Sequence, residues 1–152
     1  MNLLRTTAMT AIALVLTACA GGTGGLGGII GGGGFQCNPG TQVQLARPQN
    51  QAFASNVSSL EIVASDNNTV LGQSPGSWFL QAQGNFSGQP VFTSALGAVP
   101  DPGGFHPFPN DFFFSGSLGT TLPAGETWTV SLVQGQAGNA TCTPLTLGEF
   151  ST

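Results

Sequence analysis

A two-sheet β-sandwich is the fold class that this sequence predicts for residues 35–152. Three observations point there. The stretch carries no helical hydrophobic period. Short apolar or alternating runs recur along it, each a strand's length. Clusters of glycine, proline, asparagine and aspartate separate the runs, and these residues impose positive or fixed φ that strands do not continue through. The spacing predicts seven strands: 41–47 (TQVQLAR), 59–65 (SLEIVAS), 77–83 (SWFLQAQ), 90–96 (PVFTSAL), 111–118 (DFFFSGSL), 127–134 (TWTVSLVQ) and 141–148 (TCTPLTLG). Pro90 opens the fourth of these, which makes it an edge strand, because proline cannot donate to a ladder. The turns between them fall at Asp66-Asn67-Asn68, Ser74-Pro75-Gly76, Gly84-Asn85, Pro100–Asn110, Pro123-Ala124-Gly125 and Gly135–Asn139.

Alternation assigns the faces, because successive side chains of a strand point to opposite sides. Trp128, Val130 and Leu132 point one way, and Thr127, Thr129 and Ser131 the other. Phe112, Phe114, Gly116 and Leu118 share one face, with Phe113, Ser115 and Ser117 opposite. The predicted core therefore holds Phe112 and Phe114, with Leu60, Ile62, Ala64, Val43 and Leu45. Seven short strands in about 118 residues match an immunoglobulin-like sandwich.

The segment Leu122-Pro123-Ala124-Gly125-Glu126-Thr127-Trp128-Thr129-Val130 sharpens that match. It resembles the corner before strand F in fibronectin type III and related bacterial immunoglobulin-like domains: a leucine, a proline-glycine turn, then an aromatic six residues after the leucine. Tyrosine is usual there, and its hydroxyl bonds back to the corner. Trp128 stands in its place, and its indole N–H can donate but not accept. The resemblance also implies that Trp78 serves as the core tryptophan of strand C. The cysteines depart from the antibody pattern, since Cys142 lies fourteen residues after Trp128 rather than two.

Composition excludes some functions. Only 5% of residues are charged, lysine is absent, and the net charge is −4 with two arginines. Such a chain has no basic groove for phosphates, so no nucleic-acid partner is expected. At 40% hydrophobic it is too apolar for an ordinary disordered protein.

Residues 1–20, MNLLRTTAMTAIALVLTACA, read as an address. Arg5 and the amino terminus make a positive n-region, and Ala8–Leu16 make an apolar h-region. Nine residues are too few to cross about 30 Å of hydrocarbon, which needs about 20, so the run fits a signal peptide. Leu16-Thr17-Ala18-Cys19 resembles the lipobox of bacterial lipoproteins: an aliphatic residue, two small residues, then cysteine. The resemblance implies a diacylglyceryl thioether on Cys19, cleavage between Ala18 and Cys19, and acylation of the new amine. One acyl chain anchors marginally and two or three anchor stably. Ala20 is not aspartate, which by the same resemblance favours the outer membrane. A rival pattern overlaps it. Ala18-Cys19-Ala20 fits the A-x-A site of ordinary signal peptidase, whose cut after Ala20 would release a soluble secreted protein.

The chain thus divides into a signal peptide (1–18), a lipidated cysteine with a glycine-rich tether (19–34) and a sandwich domain (35–152). Residues 21–34 hold ten glycines in GGTGGLGGIIGGGG, a flexible linker by composition. Its root-mean-square span would be roughly 20 Å and its full reach about 50 Å. A glycine-rich packed segment is the rival reading. Three cysteines leave an odd thiol in an exported protein. Lipidation of Cys19 accounts for it, and Cys37 and Cys142 should then form a disulfide in an oxidising envelope. Two free buried thiols are the alternative.

Catalytic chemistry has little to stand on. His106 is the sole histidine, and no nucleophile elbow, H-E-x-x-H or P-loop occurs. No enzyme activity, cofactor or metal is expected. Asp101, His106 and Asp111 in DPGGFHPFPND form the one cluster that could hold a divalent cation, with a solvated surface loop as the plainer account. The same loop carries Phe105, His106 and Phe108 with Phe113 nearby, either an exposed aromatic binding loop or a satellite core. The expected product is a non-catalytic domain held at the membrane through lipid on Cys19, serving adhesion, envelope structure or binding of a protein or envelope polymer.

Overall fold

The computed structural model describes residues 34–152. Nine strands form: β1 (Val43–Arg47), β2 (Ser59–Ala64), β3 (Trp78–Gly84), β4 (Val91–Phe92), β5 (Gly97–Val99), β6 (Phe112–Ser117), β7 (Thr127–Gln136), β8 (Asn139–Ala140) and β9 (Leu145–Ser151). A single α-helical turn, α1 (Val70–Gln73), and a 3₁₀ turn at Pro75–Ser77 join β2 to β3. Thr69 caps α1 by accepting from the Gly72 N–H.

The strands make two antiparallel sheets. One runs β1-β2-β6-β5, and the other runs β4-β3-β7 with both β8 and β9 on the far side of β7. Counting β1 to β7 and then β9 as strands A, B, C, C′, D, E, F and G, with β8 a short hairpin arm, gives A-B-E-D facing C′-C-F-G. That is the immunoglobulin-like arrangement. Trp78, Trp128, Phe114, Phe150, Leu60, Ile62, Leu80 and Leu132 are fully enclosed between the sheets. Each side chain of this size contributes about 1.5–3 kcal/mol on burial.

Two strands fall elsewhere than the sequence pattern places them. The run expected over 90–96 is divided. Val91 and Phe92 pair with β3, and the chain then crosses to pair Gly97–Val99 with β6. Ser94 N–H donates to Ser117 and Leu96 N–H donates to Trp78 during the crossing. Thr93 is buried at the crossing, and a side chain at Gly116 would meet it at 2.7 Å. The strand expected over 141–148 begins at Leu145 and reaches Ser151. Pro144 lacks the N–H a ladder needs, and Thr143 already pairs with Gln36.

Cys37 and Cys142 are disulfide-bonded across a separation of 105 residues. The bridge lies beside that pairing, where Cys37 N–H donates to Thr143 and Thr143 N–H donates to Phe35. The N-terminal segment is therefore fixed to the start of β9, at one end of the sandwich. Gly125, at φ +81°, turns the corner before β7. Trp128 Nε1 donates to Thr152 Oγ1 at 3.3 Å, and that hydroxyl donates to the Pro123 carbonyl at 2.6 Å. A threonine thus relays the corner hydrogen bond that an indole cannot complete alone. Trp78 is also fully buried, and its Nε1 has no partner among the described residues.

Candidate functional site

The aromatic loop, read from sequence either as an exposed binding loop or as a satellite core, takes the second form and is mostly a cover. Residues 100–111 leave β5, cross the outer face of the β1-β2-β6-β5 sheet and return to β6. Phe113 is 4% exposed, in a second cluster with Ala46 and Val63. Val99, Phe105 and Phe108 pack over that cluster and are half-buried. Phe113 is therefore not an exposed binding residue: the strap's rings shield it. Phe112, expected inside, does pack against the main core but is only half-buried, at the first position of β6. Val43 is likewise half-buried, while Leu45 is enclosed.

Polar contacts hold the strap. Arg47 Nη2 donates to the Pro102 carbonyl at 2.8 Å. Gly103 N–H donates to Asp101 at 2.7 Å, and Phe108 N–H to Asp111 at 3.1 Å. His106 is half-exposed, with its Nδ1 2.9 Å from Asp111 Oδ2 and its Nε2 3.7 Å from Asp101 Oδ2. The three residues singled out for a cation do converge. Both Asp111 oxygens and one Asp101 oxygen are engaged in closing the loop, however, and among the described residues no group of three His, Cys, Asp or Glu is placed to hold a metal ion.

Beside the strap lies a cleft of about 290 Å³ lined by Arg47, Pro48, Gln49, Phe53, Pro102 and Phe105, among others. Glu61 stands across from Arg47 in the β1–β2 register. Partial burial holds the Glu61 carboxyl above the ordinary glutamate range, opposed by Arg47 and reinforced by Asp101. One of its oxygens, Oε1, is enclosed without a hydrogen-bond partner among the described residues.

The outer face of the other sheet carries residues that the sequence pattern did not single out as a site. Cross-strand register sets them in rows: Gln81, Ser131 and Thr146, then Gln83, Thr129 and Glu149. A third row joins Asn85, Thr127, Ser151 and Phe53 through the Asn85–Thr127 hydrogen bond, the Thr127–Ser151 pair and the Phe53–Ser151 bridge. Phe53 is 77% exposed, and Phe86, next to Asn85, is 78% exposed. The alternation of β7 already announced a polar face, but isolated phenylalanines in turns gave no sign of standing beside it.

Leu16, Thr17, Ala18 and Cys19 lie outside the described residues. No protein-family model, curated protein or solved structure matches this chain.

Proposed function

We propose that this chain is a lipid-anchored lipoprotein of the bacterial cell envelope, tethered through Cys19 and presenting a non-catalytic sandwich domain that binds a partner or supports the envelope. One observation carries the reading. The Cys37–Cys142 disulfide uses two of the three cysteines and leaves Cys19, at the end of Leu16-Thr17-Ala18-Cys19, as the single thiol to be explained. A structural disulfide also fits an oxidising compartment. Among the described residues no helix is long and apolar enough to cross a membrane.

Detergent phase partitioning tests it. The wild-type protein should enter the detergent phase and a Cys19→Ser variant the aqueous phase. Wild type in the aqueous phase would instead favour the secreted form cut after Ala20, which Ala18-Cys19-Ala20 permits.

A further inference from the structure

We infer that the outer face of β3, β7 and β9, bordered by Phe53 and Phe86, binds an uncharged polysaccharide. The inference deepens the envelope reading and rests on it for placing the domain where such polymers occur. The face has the chemistry of its ligand. Its rows present carboxamides and hydroxyls at Gln83, Asn85, Thr127 and Thr129, with Thr146 and Ser151 beside them, while Ser131 between them is buried. Carboxamides and hydroxyls both donate and accept, as sugar hydroxyls do. Gln81 Oε1, enclosed beneath the face, has no hydrogen-bond partner among the described residues.

Aromatic rings supply the second element. Phe53 and Phe86 are two of four large apolar side chains strongly exposed among the described residues. The other two lie near the disulfide: Thr143, next to Cys142, donates to the Phe35 carbonyl, and Val70 stands beside Gly40, three residues after Cys37. Phe53 and Asn85 are separated by three inter-strand steps in the lowest row, about 15 Å at 4.8 Å per step. That distance suits a chain of several pyranose rings, whose apolar C–H faces stack on aromatic rings.

Charge selects among polymers. Glu149 lies in the face and Glu126 beside Ser87, at 2.7 Å from its hydroxyl. Arg47, the only arginine or lysine among the described residues, is turned to the strap carbonyls of Pro102 and Gly103. An anionic polymer would meet carboxylates here without a cation to pair with. Geometry adds that β7, ten residues long, separates the Phe53–Phe86 end from the disulfide end. A domain held from its N-terminal side would turn this end away from the anchor.

The test is affinity electrophoresis of the full mature protein in gels containing dextran, amylose, glucomannan or hydroxyethyl cellulose, with alginate as the anionic comparison. At least one neutral polymer should retard the wild type. Phe53→Ala and Phe86→Ala should each weaken that retardation by about tenfold, a change of about 1.4 kcal/mol. Phe35→Ala, an exposed ring at the opposite end, should leave it unchanged. No retardation by any of the four neutral polymers overturns the proposal. So does retardation of both phenylalanine variants to the same extent as the wild type, or stronger binding to alginate. A mass spectrum of the same preparation reads the state of Cys19 separately. An acylated protein that ignores every neutral polymer would refute the glycan site and leave the anchor standing, and an unacylated protein that is retarded would do the reverse.

Discussion

The outer faces of the two sheets start from the same strand chemistry and end in different environments. On the β1-β2-β6-β5 sheet the outward residues include Val63 and Phe113, and the 100–111 strap lays Phe105 and Phe108 over them. On the β3-β7-β9 sheet the outward residues Gln83, Thr127, Thr129 and Thr146 remain at least partly exposed, whereas Ser131, Val133 and Phe79 farther along the same face are buried. Only the inner half of each strand is decided by alternation. The outer half follows whatever loop returns across it. An apolar outer face implies a cover, and a polar outer face is free to meet a partner.

The largest expected effect comes from breaking what both sheets share. Replacing Cys37 and Cys142 by serine should destabilise the domain by about 4–5 kcal/mol in the chain-entropy account of a loop of this length, measured by urea denaturation of the purified protein. The comparison of faces is tested next. Phe113→Ala should cost about 3–4 kcal/mol, because it empties the site under the strap. Thr129→Ala on the open face should stay within about 0.5 kcal/mol. Similar losses at both positions would mean that the faces do not differ as described.

Trp128→Phe keeps the core ring and removes the N–H that reaches Pro123 through Thr152. Thermal denaturation should show a loss of about 1–2 kcal/mol for that hydrogen bond and the change of ring size. The smallest effect concerns Glu61 beneath the strap. Burial raises its carboxyl above the ordinary value of 4.5, so the fold favours the protonated form. The stabilisation is present below that value and is lost as pH rises through the higher folded-state value. Glu61→Gln should therefore melt higher than wild type at pH 7, with the difference shrinking toward pH 4. The gain should be modest because the group is partly solvated.

Much of the sandwich was legible in the sequence because its inner strands follow local rules. Trp128, Val130 and Leu132 declare an inward face by alternation, and all three are enclosed. Leu60, Ile62 and Ala64 do the same. What stayed illegible depends on contacts distant in sequence. The sequence leaves Phe105 and Phe108 open to two readings, exposed loop or satellite core, and nothing near Phe113 decides between them. The split of 90–96 follows from a change of sheet, which alternation within one strand cannot express. Phe53 joins the polar face only through its bridge to Ser151, nearly a hundred residues away. The resemblance of Leu16-Thr17-Ala18-Cys19 to a lipobox and the cysteine count, by contrast, need no fold to be read.

The most direct test of the account is the mass of the mature amino-terminal peptide taken from cells, wild type beside Cys19→Ser. The account predicts a peptide beginning at a diacylated or triacylated Cys19, with that modification lost in the variant. An unmodified wild-type peptide beginning at Gly21 would contradict it.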